Sequence, residues 1–193
     1  MRPMQRVAAR LAALGARFPG RLGFRVSLDH YSAAGHEAVR GAGSFAPALA
    51  GLGWLARAGF AVSVAARLPA EADAATLRAG FAALFADEAL PLDAADPAAL
   101  VLFPELTDPA PPPPIGAACW QALHGAGRQV MCETSRMVVH RRGEATARVA
   151  ACTLLPETDL GATLAEAEGR AVALSHPHCA RFCVFGAASC SGG

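Results

Sequence analysis

Five cysteines crowd the carboxyl-terminal third of this sequence: Cys132, Cys152, Cys179, Cys183 and Cys190, the last three within the stretch HPHCARFCVFGAASC. Thiolates are soft ligands, and two pairs converging on one point suit either Zn or a 4Fe-4S cluster. The spacing favours convergence. Nineteen residues lie between Cys132 and Cys152, a separation that an antiparallel hairpin closes at its open end, and Cys179 and Cys183 stand at i and i+4. Cys119, alone beside Trp120, reads instead as a small buried apolar residue. A disulfide framework belongs to exported chains, and no export signal accompanies these thiols. Structural Zn sites favour Cys-x2-Cys knuckles, which this sequence lacks, and His176 and His178 flank Pro177 as loop residues do. Uneven spacing and a fifth cysteine fit a cluster better, with a Zn-stabilised interaction module as the alternative.

The elements that must gather these sulfurs follow from the hydrophobic pattern. QVMCETSRMVV and EATARVAACTLL flank His140, Arg141, Arg142 and Gly143. That predicts a β-hairpin with glycine in the turn, Cys132 on one arm and Cys152 at the end of the other. Residues 163–173 read as a short helix, opened by Thr163 with Glu166 three positions on in a capping box. The cysteine tail follows directly. Ahead of the hairpin, PAPPPP at residues 109–114 is a stiff connection that neither a helix nor a central strand tolerates. The expected organisation is residues 1–108, a proline-rich linker over 109–118, and a cysteine-rich module over 119–193.

Within the first of these segments, residues 22–29 (LGFRVSLD) alternate apolar and polar side chains with the period of a strand. HYSAAGHEAVRGAGS reads as a glycine-rich loop, and Phe45, Leu49, Leu52 and Leu55 give helical spacing up to Gly59. A second strand is expected over residues 60–66. A helix follows over 74–86 with Leu77, Phe81, Leu84 and Phe85 on its buried face, and then a short apolar strand over 99–103. Strands alternating with helices are the grammar of βα units on a parallel sheet, so the fold class is α/β.

Composition narrows the function classes. The chain contains no Lys, so all 17 basic residues are Arg, and Ala-rich runs count for less as helix evidence in such a biased sequence. Net charge is +1 with acids and bases interleaved, which argues against a nucleic-acid partner. Val7, Leu11 and Leu14 share one face of an amphipathic amino-terminal helix, and Arg10 and Arg17 interrupt any signal-type apolar core. No apolar run approaches the ~18 to 20 residues needed to cross a bilayer. The expected location is cytoplasmic.

Two blocks of sequence resemble the radical SAM superfamily. FRVSLDH, then HEAVRGAGSF and GFAVSVAA, resembles the middle strands of its βα barrel. The segment from Cys132 to Cys190, with ACTLLPE, LGATLAEA and HPHCARFCVFGAASC, resembles the auxiliary-cluster region of the twitch or SPASM type. The resemblance implies that four of Cys132, Cys152, Cys179, Cys183 and Cys190 bind an auxiliary 4Fe-4S cluster. Three and then six residues lie between the last three of these cysteines, where SPASM motifs have two and then five. The superfamily's defining Cys-x3-Cys-x2-Cys is missing: no cysteine precedes Cys119, and after Cys179-x3-Cys183 position 186 is Gly.

From this follows the expectation of a partial barrel of about three strands, the carboxyl-terminal part of a radical SAM oxidoreductase. It would be a truncated reading frame or one piece of a split enzyme. S-adenosylmethionine would then bind only together with an amino-terminal half. An open barrel edge would be covered by that half or by a second copy, and the substrate would be a peptide or a small molecule. A stand-alone iron-sulfur electron carrier is the other reading. The resemblance places Ser27 and Asp29, at the carboxyl end of the first strand, against the cofactor. The plainer reading makes Asp29 a loop cap and His30 a solvated side chain. His36, Glu37 and Arg40 read as a solvated face, and Gly41 and Gly43 lack GxGxxG spacing.

Overall fold

The computed structural model describes residues 6–105 and 130–174, with isolated positions 115, 118, 121, 122, 179 and 183. The linker expected over 109–118 falls almost wholly outside the described residues, as do Cys119, His176, His178 and Cys190. The chain divides into two compact units, Met1–Glu105 and Leu106–Gly193.

The first unit is mixed α/β. Helix α1 (Ala8–Arg17) precedes strand β1 (Gly23–Ser27), helices α2 (Ala33–Arg40) and α3 (Phe45–Arg57), strand β2 (Ala61–Leu68), helix α4 (Ala74–Asp87) and strand β3 (Leu100–Pro104). The strands form a parallel sheet in the order β1-β2-β3, with Val26 opposite Val64 and Val64 opposite Leu100. Among the described residues this sheet does not close into a barrel.

Periodicity explains the core. Val64 and Ala66 of β2 point inward two residues apart, while Leu100 and Val101 of β3 are buried at successive positions, so both faces of that edge are covered. Leu52 and Leu55 of α3 and Leu77, Phe81 and Phe85 of α4 lie at helical spacing on the faces they bury. Asp73 starts α4 by accepting from the backbone N–H groups of Ala75 and Thr76 at 3.3 and 2.9 Å.

Residues 30–44, expected as a loop, contain helix α2. Its only buried residue is His36, so no apolar stripe announces it. It is set by its ends: the Ser32 hydroxyl accepts from Gly35 N at 3.2 Å, and Gly41 leaves the helix with φ +91°. Glu37, expected in solvent, accepts from Phe45 N at 3.3 Å and ties α2 to the start of α3.

The second unit carries a separate antiparallel sheet. A single helical turn α5 (Met131–Thr134) leads to strands β4 (Met137–Val139), β5 (Arg148–Cys152) and β6 (Leu155–Gly161), then a second turn α6 (Leu164–Ala167). The strand order is β4-β5-β6. Three expectations are corrected here. Cys132 lies on α5 rather than on a hairpin arm. The ACTLL stretch turns back on itself, because Cys152 pairs with Leu155 across Thr153 and Leu154. The helix expected over 163–173 stops at Ala167, where Gly169 takes φ +71°. Its cap is close to the expected one: Thr163 Oγ1 accepts from Glu166 N at 3.2 Å, and Glu166 reaches back to Ala162 N at 2.9 Å.

Gly80 tests how tightly the first unit is packed. It sits inside α4, where glycine costs about 1 kcal/mol relative to alanine, yet a Cβ there would overlap the ring of Tyr31. Gly80→Ala is expected to lower stability by about 1 to 3 kcal/mol through overpacking. Urea unfolding measures it, and a gain in stability would mean that the ring moves aside freely.

Candidate functional site

In the second unit, the backbone around Cys132 is tied at both ends. Glu133 Oε2 accepts from Val130 N at 3.3 Å, and Ser135 N donates to Met131 O at 2.9 Å, closing the turn. Arg136 folds over it: its Nη1 donates to the Cys132 carbonyl and, at 2.9 Å, to the Ser135 carbonyl. Cys152 ends the central strand β5, whose last four residues are all buried. Cys179 and Cys152 belong to one apolar cluster with Val149, Ala151, Leu155, Leu160 and Ala167, and Met131 packs against it.

The electrostatics tie three of these sulfurs together. Burial pushes the Cys132 thiol up, and the neighbouring Cys152 pushes it further, while Arg136 pulls in the opposite direction. The Cys179 thiol is pushed up to about 11, first by burial and then by Cys152 and Cys132. Each sulfur therefore lies within electrostatic reach of the others, although they come from a helical turn, a strand end and the carboxyl-terminal segment. Cys190 lies outside the described residues.

The Cys132 and Cys179 thiols are poor nucleophiles. A reactive cysteine is partly exposed in an electropositive setting that lowers its pKa, and here burial and mutual repulsion act the other way. What relieves both penalties is a cation bound by the thiolates, which neutralises the charges that burial disfavours. Thiolates are the donor type that a soft metal takes, but donor type alone does not make a site. Among the described residues, no group of three or more His, Cys, Asp or Glu side chains stands at metal-holding geometry. One further polar atom belongs to this region: Arg136 Nε is buried without a hydrogen-bond partner among the described residues. Such an orphan costs about 1 to 3 kcal/mol.

In the first unit, Ser27 is the exposed last residue of β1. Asp29, two residues beyond, is buried at 8 % exposure. Arg40 of α2 grips its carboxylate, Nε on Oδ2 and Nη2 on Oδ1 at 3.5 Å. The backbone N–H of Asp29 donates to His36 Nδ1 at 3.1 Å. His30 Nδ1 accepts from Ser32 N at 3.0 Å. Gly35 is glycine because a Cβ there would run into the His30 ring. The plainer sequence reading is corrected at three positions: Asp29 is an ion-pair partner rather than a loop cap, His36 is a core residue, and Arg40 is engaged. Ser63, within β2, accepts from Arg25 Nε at 3.1 Å.

Sequence reasoning passed over Arg136, His36 and Arg40 as site residues. The available signals were spacing: Arg136 follows Cys132 by four positions, and Arg40 follows His36 by four. No helix among the described residues is long and apolar enough to cross a membrane. No family model matches the chain, and neither does any curated protein or solved structure.

His36 makes the first unit sensitive to acid. Burial, as the largest cause, holds its pKa below the usual value of about 6.5; Asp29 and Glu37 oppose that shift and Arg40 assists it. The unfolded chain therefore takes up a proton at a pH where the folded one does not, so stability is full above about 6.5 and declines as pH falls below it. Protonation would also set an Nδ1–H against the Asp29 N–H. The melting temperature is expected to drop from pH 7.5 to 5.5, with a shallower slope in His36→Gln; equal slopes would remove His36 as the cause. Arg40→Met, which strips the partner from a buried carboxylate, is expected to cost about 1 to 3 kcal/mol. That is below the cost of breaking a fully buried pair, because Arg40 itself is half exposed.

Proposed function

We propose that this chain is an iron-sulfur protein of radical SAM type. Its second unit binds an auxiliary 4Fe-4S cluster through four of Cys132, Cys152, Cys179, Cys183 and Cys190, and its parallel βα unit contributes part of an incomplete barrel and of the substrate cavity. The observation that carries this reading is that Cys152 and Cys179 share one apolar cluster, with Cys132 within electrostatic reach of it and with the Cys132 and Cys179 thiols hard to ionise. A cluster supplies the charge that lets them ionise together, and when bound it supplies one-electron chemistry or an anchoring iron for substrate. The sequence resemblance, which spans most of the chain from about residue 22, supports the choice of cluster over Zn.

The parallel order β1-β2-β3 supports the barrel part of the reading. Here Ser27 offers a hydroxyl at the carboxyl end of β1. Asp29, already compensated by Arg40, acts as a hydrogen-bond acceptor toward S-adenosylmethionine rather than as a base. These residues contain no Cys-x3-Cys-x2-Cys, so reductive cleavage of S-adenosylmethionine requires a partner segment that carries it. β1 pairs on one side with β2, and its other edge is where such a segment, or a second copy, would add its strand.

Anaerobic reconstitution of the full chain with iron and sulfide is expected to give a brown protein with about four iron per chain. Cys152→Ser is expected to lose most of that iron. Colourless protein that binds one Zn would support the Zn-stabilised interaction module instead. S-adenosylmethionine cleavage is expected to be nil for the chain alone and to appear when a Cys-x3-Cys-x2-Cys-bearing half is added. Iron binding with no cleavage under either condition would favour a stand-alone electron carrier.

A further inference from the structure

Arginine is unevenly placed along this chain. Six arginines fall within residues 1–28, before the first acid at Asp29, and the other eleven share the rest of the chain with all 16 acids. Interleaving of charge therefore begins only after β1, and the amino-terminal segment is a local cation. Helix α1 displays it. Arg10, Leu14 and Arg17 stand at i, i+4 and i+7, on one side of the helix. Phe18 follows, with its ring centre 5.1 Å from the Arg17 guanidinium. α1 buries none of its residues. Gly15 marks the flank turned to the protein, because a Cβ there would run into the Phe60 ring. Leu14 and Phe18 remain open, 42 % and 43 % exposed. Arg6, Arg10, Arg17 and Arg21 are exposed as well, and none has an acidic partner among the described residues.

We propose that α1 docks on an anionic lipid surface, its arginines on the headgroups and Leu14 and Phe18 in the boundary with the acyl chains. Charge complementarity selects a polyanion, since four guanidinia sit close in sequence with no carboxylate among them. The apolar pair then selects lipid among polyanions. A nucleic acid would meet the arginines with phosphates but has no apolar bed for a leucine placed between two of them. Lipid offers both, at the depth where an amphipathic helix lies. Two apolar side chains bury little area, so the attachment is reversible and depends on salt. The inference is independent of the iron-sulfur reading, which concerns cysteines of the second unit.

Vesicle flotation of the full chain, without iron or sulfide, is the test. The wild type is expected to float with vesicles of phosphatidylcholine and phosphatidylserine, to stay behind with phosphatidylcholine alone, and to be released as salt rises. Arg10→Gln combined with Arg17→Gln should weaken binding roughly 25-fold, about fivefold for each charge near the surface. Leu14→Ser combined with Phe18→Ser should weaken it at low and high salt alike. Arg142→Gln, at an exposed position of the second unit, should leave it unchanged. The lipid and salt dependence of the wild type decides the matter even where a variant does not fold. Wild-type protein that ignores anionic vesicles overturns the inference, whether it retains duplex DNA instead or self-associates in sedimentation. Equal binding to neutral vesicles overturns it too, as does equal loss in Arg142→Gln. Vesicle binding by a chain that takes up no iron leaves this inference standing and removes only the cluster.

Discussion

The second unit is organised around one conflict: burial disfavours ionisation of the Cys132 and Cys179 thiols, and the neighbouring sulfurs disfavour it further. Cys152 and Cys179 are almost fully buried among aliphatic side chains, and Cys132 adjoins them from a turn locked by hydrogen bonds. Three small apolar residues would fill the same space without that conflict. Burial is the common fate of a cysteine, and here it gathers sulfurs from three separate chain segments.

The first unit concentrates its constraint in the segment after β1. His30 and Tyr31 lie against helix glycines, Gly35 of α2 and Gly80 of α4, each at a place where a methyl group would collide with a ring. Asp29 is tied through its N–H to His36, through its carboxylate to Arg40 and through its carbonyl, at 3.2 Å, to Arg67 N of β2. A segment at the carboxyl end of a parallel strand, where βα proteins place ligand groups, is thereby held without a long apolar contact. Tyr31 and Phe81, edge to face at 6.1 Å, fasten it to the core.

The strands of the first unit and the helices α3 and α4 were legible because each has a buried face with the right period and α4 has an aspartate cap. Helix α2 was not legible, since its inward residue is a histidine and its glycine resembles a loop former until the ring it accommodates is known. In the second unit, β4 and β5 stood out through VV and RVAAC. The single turn at Cys132 did not, because MCET is held by the Glu133 side chain and by Arg136 rather than by apolar repetition. The turn at Thr153 and Leu154 contains neither glycine nor proline, so propensity gave no sign of it. Cysteine clustering was visible as spacing.

In the reading proposed above the cysteines would have a further role. The described helical segments α5 and α6 of the second unit are single turns, its sheet has three strands, and its described buried cluster is made mainly of Val, Ala and Leu with two cysteines among them. A centre held by Cys132 of α5, Cys152 at the end of β5 and Cys179 would cross-link parts of the unit that the sheet does not join. The free energy of binding would then be free energy of folding. The apolar residues around Cys152 and Cys179 would shield such a centre from water.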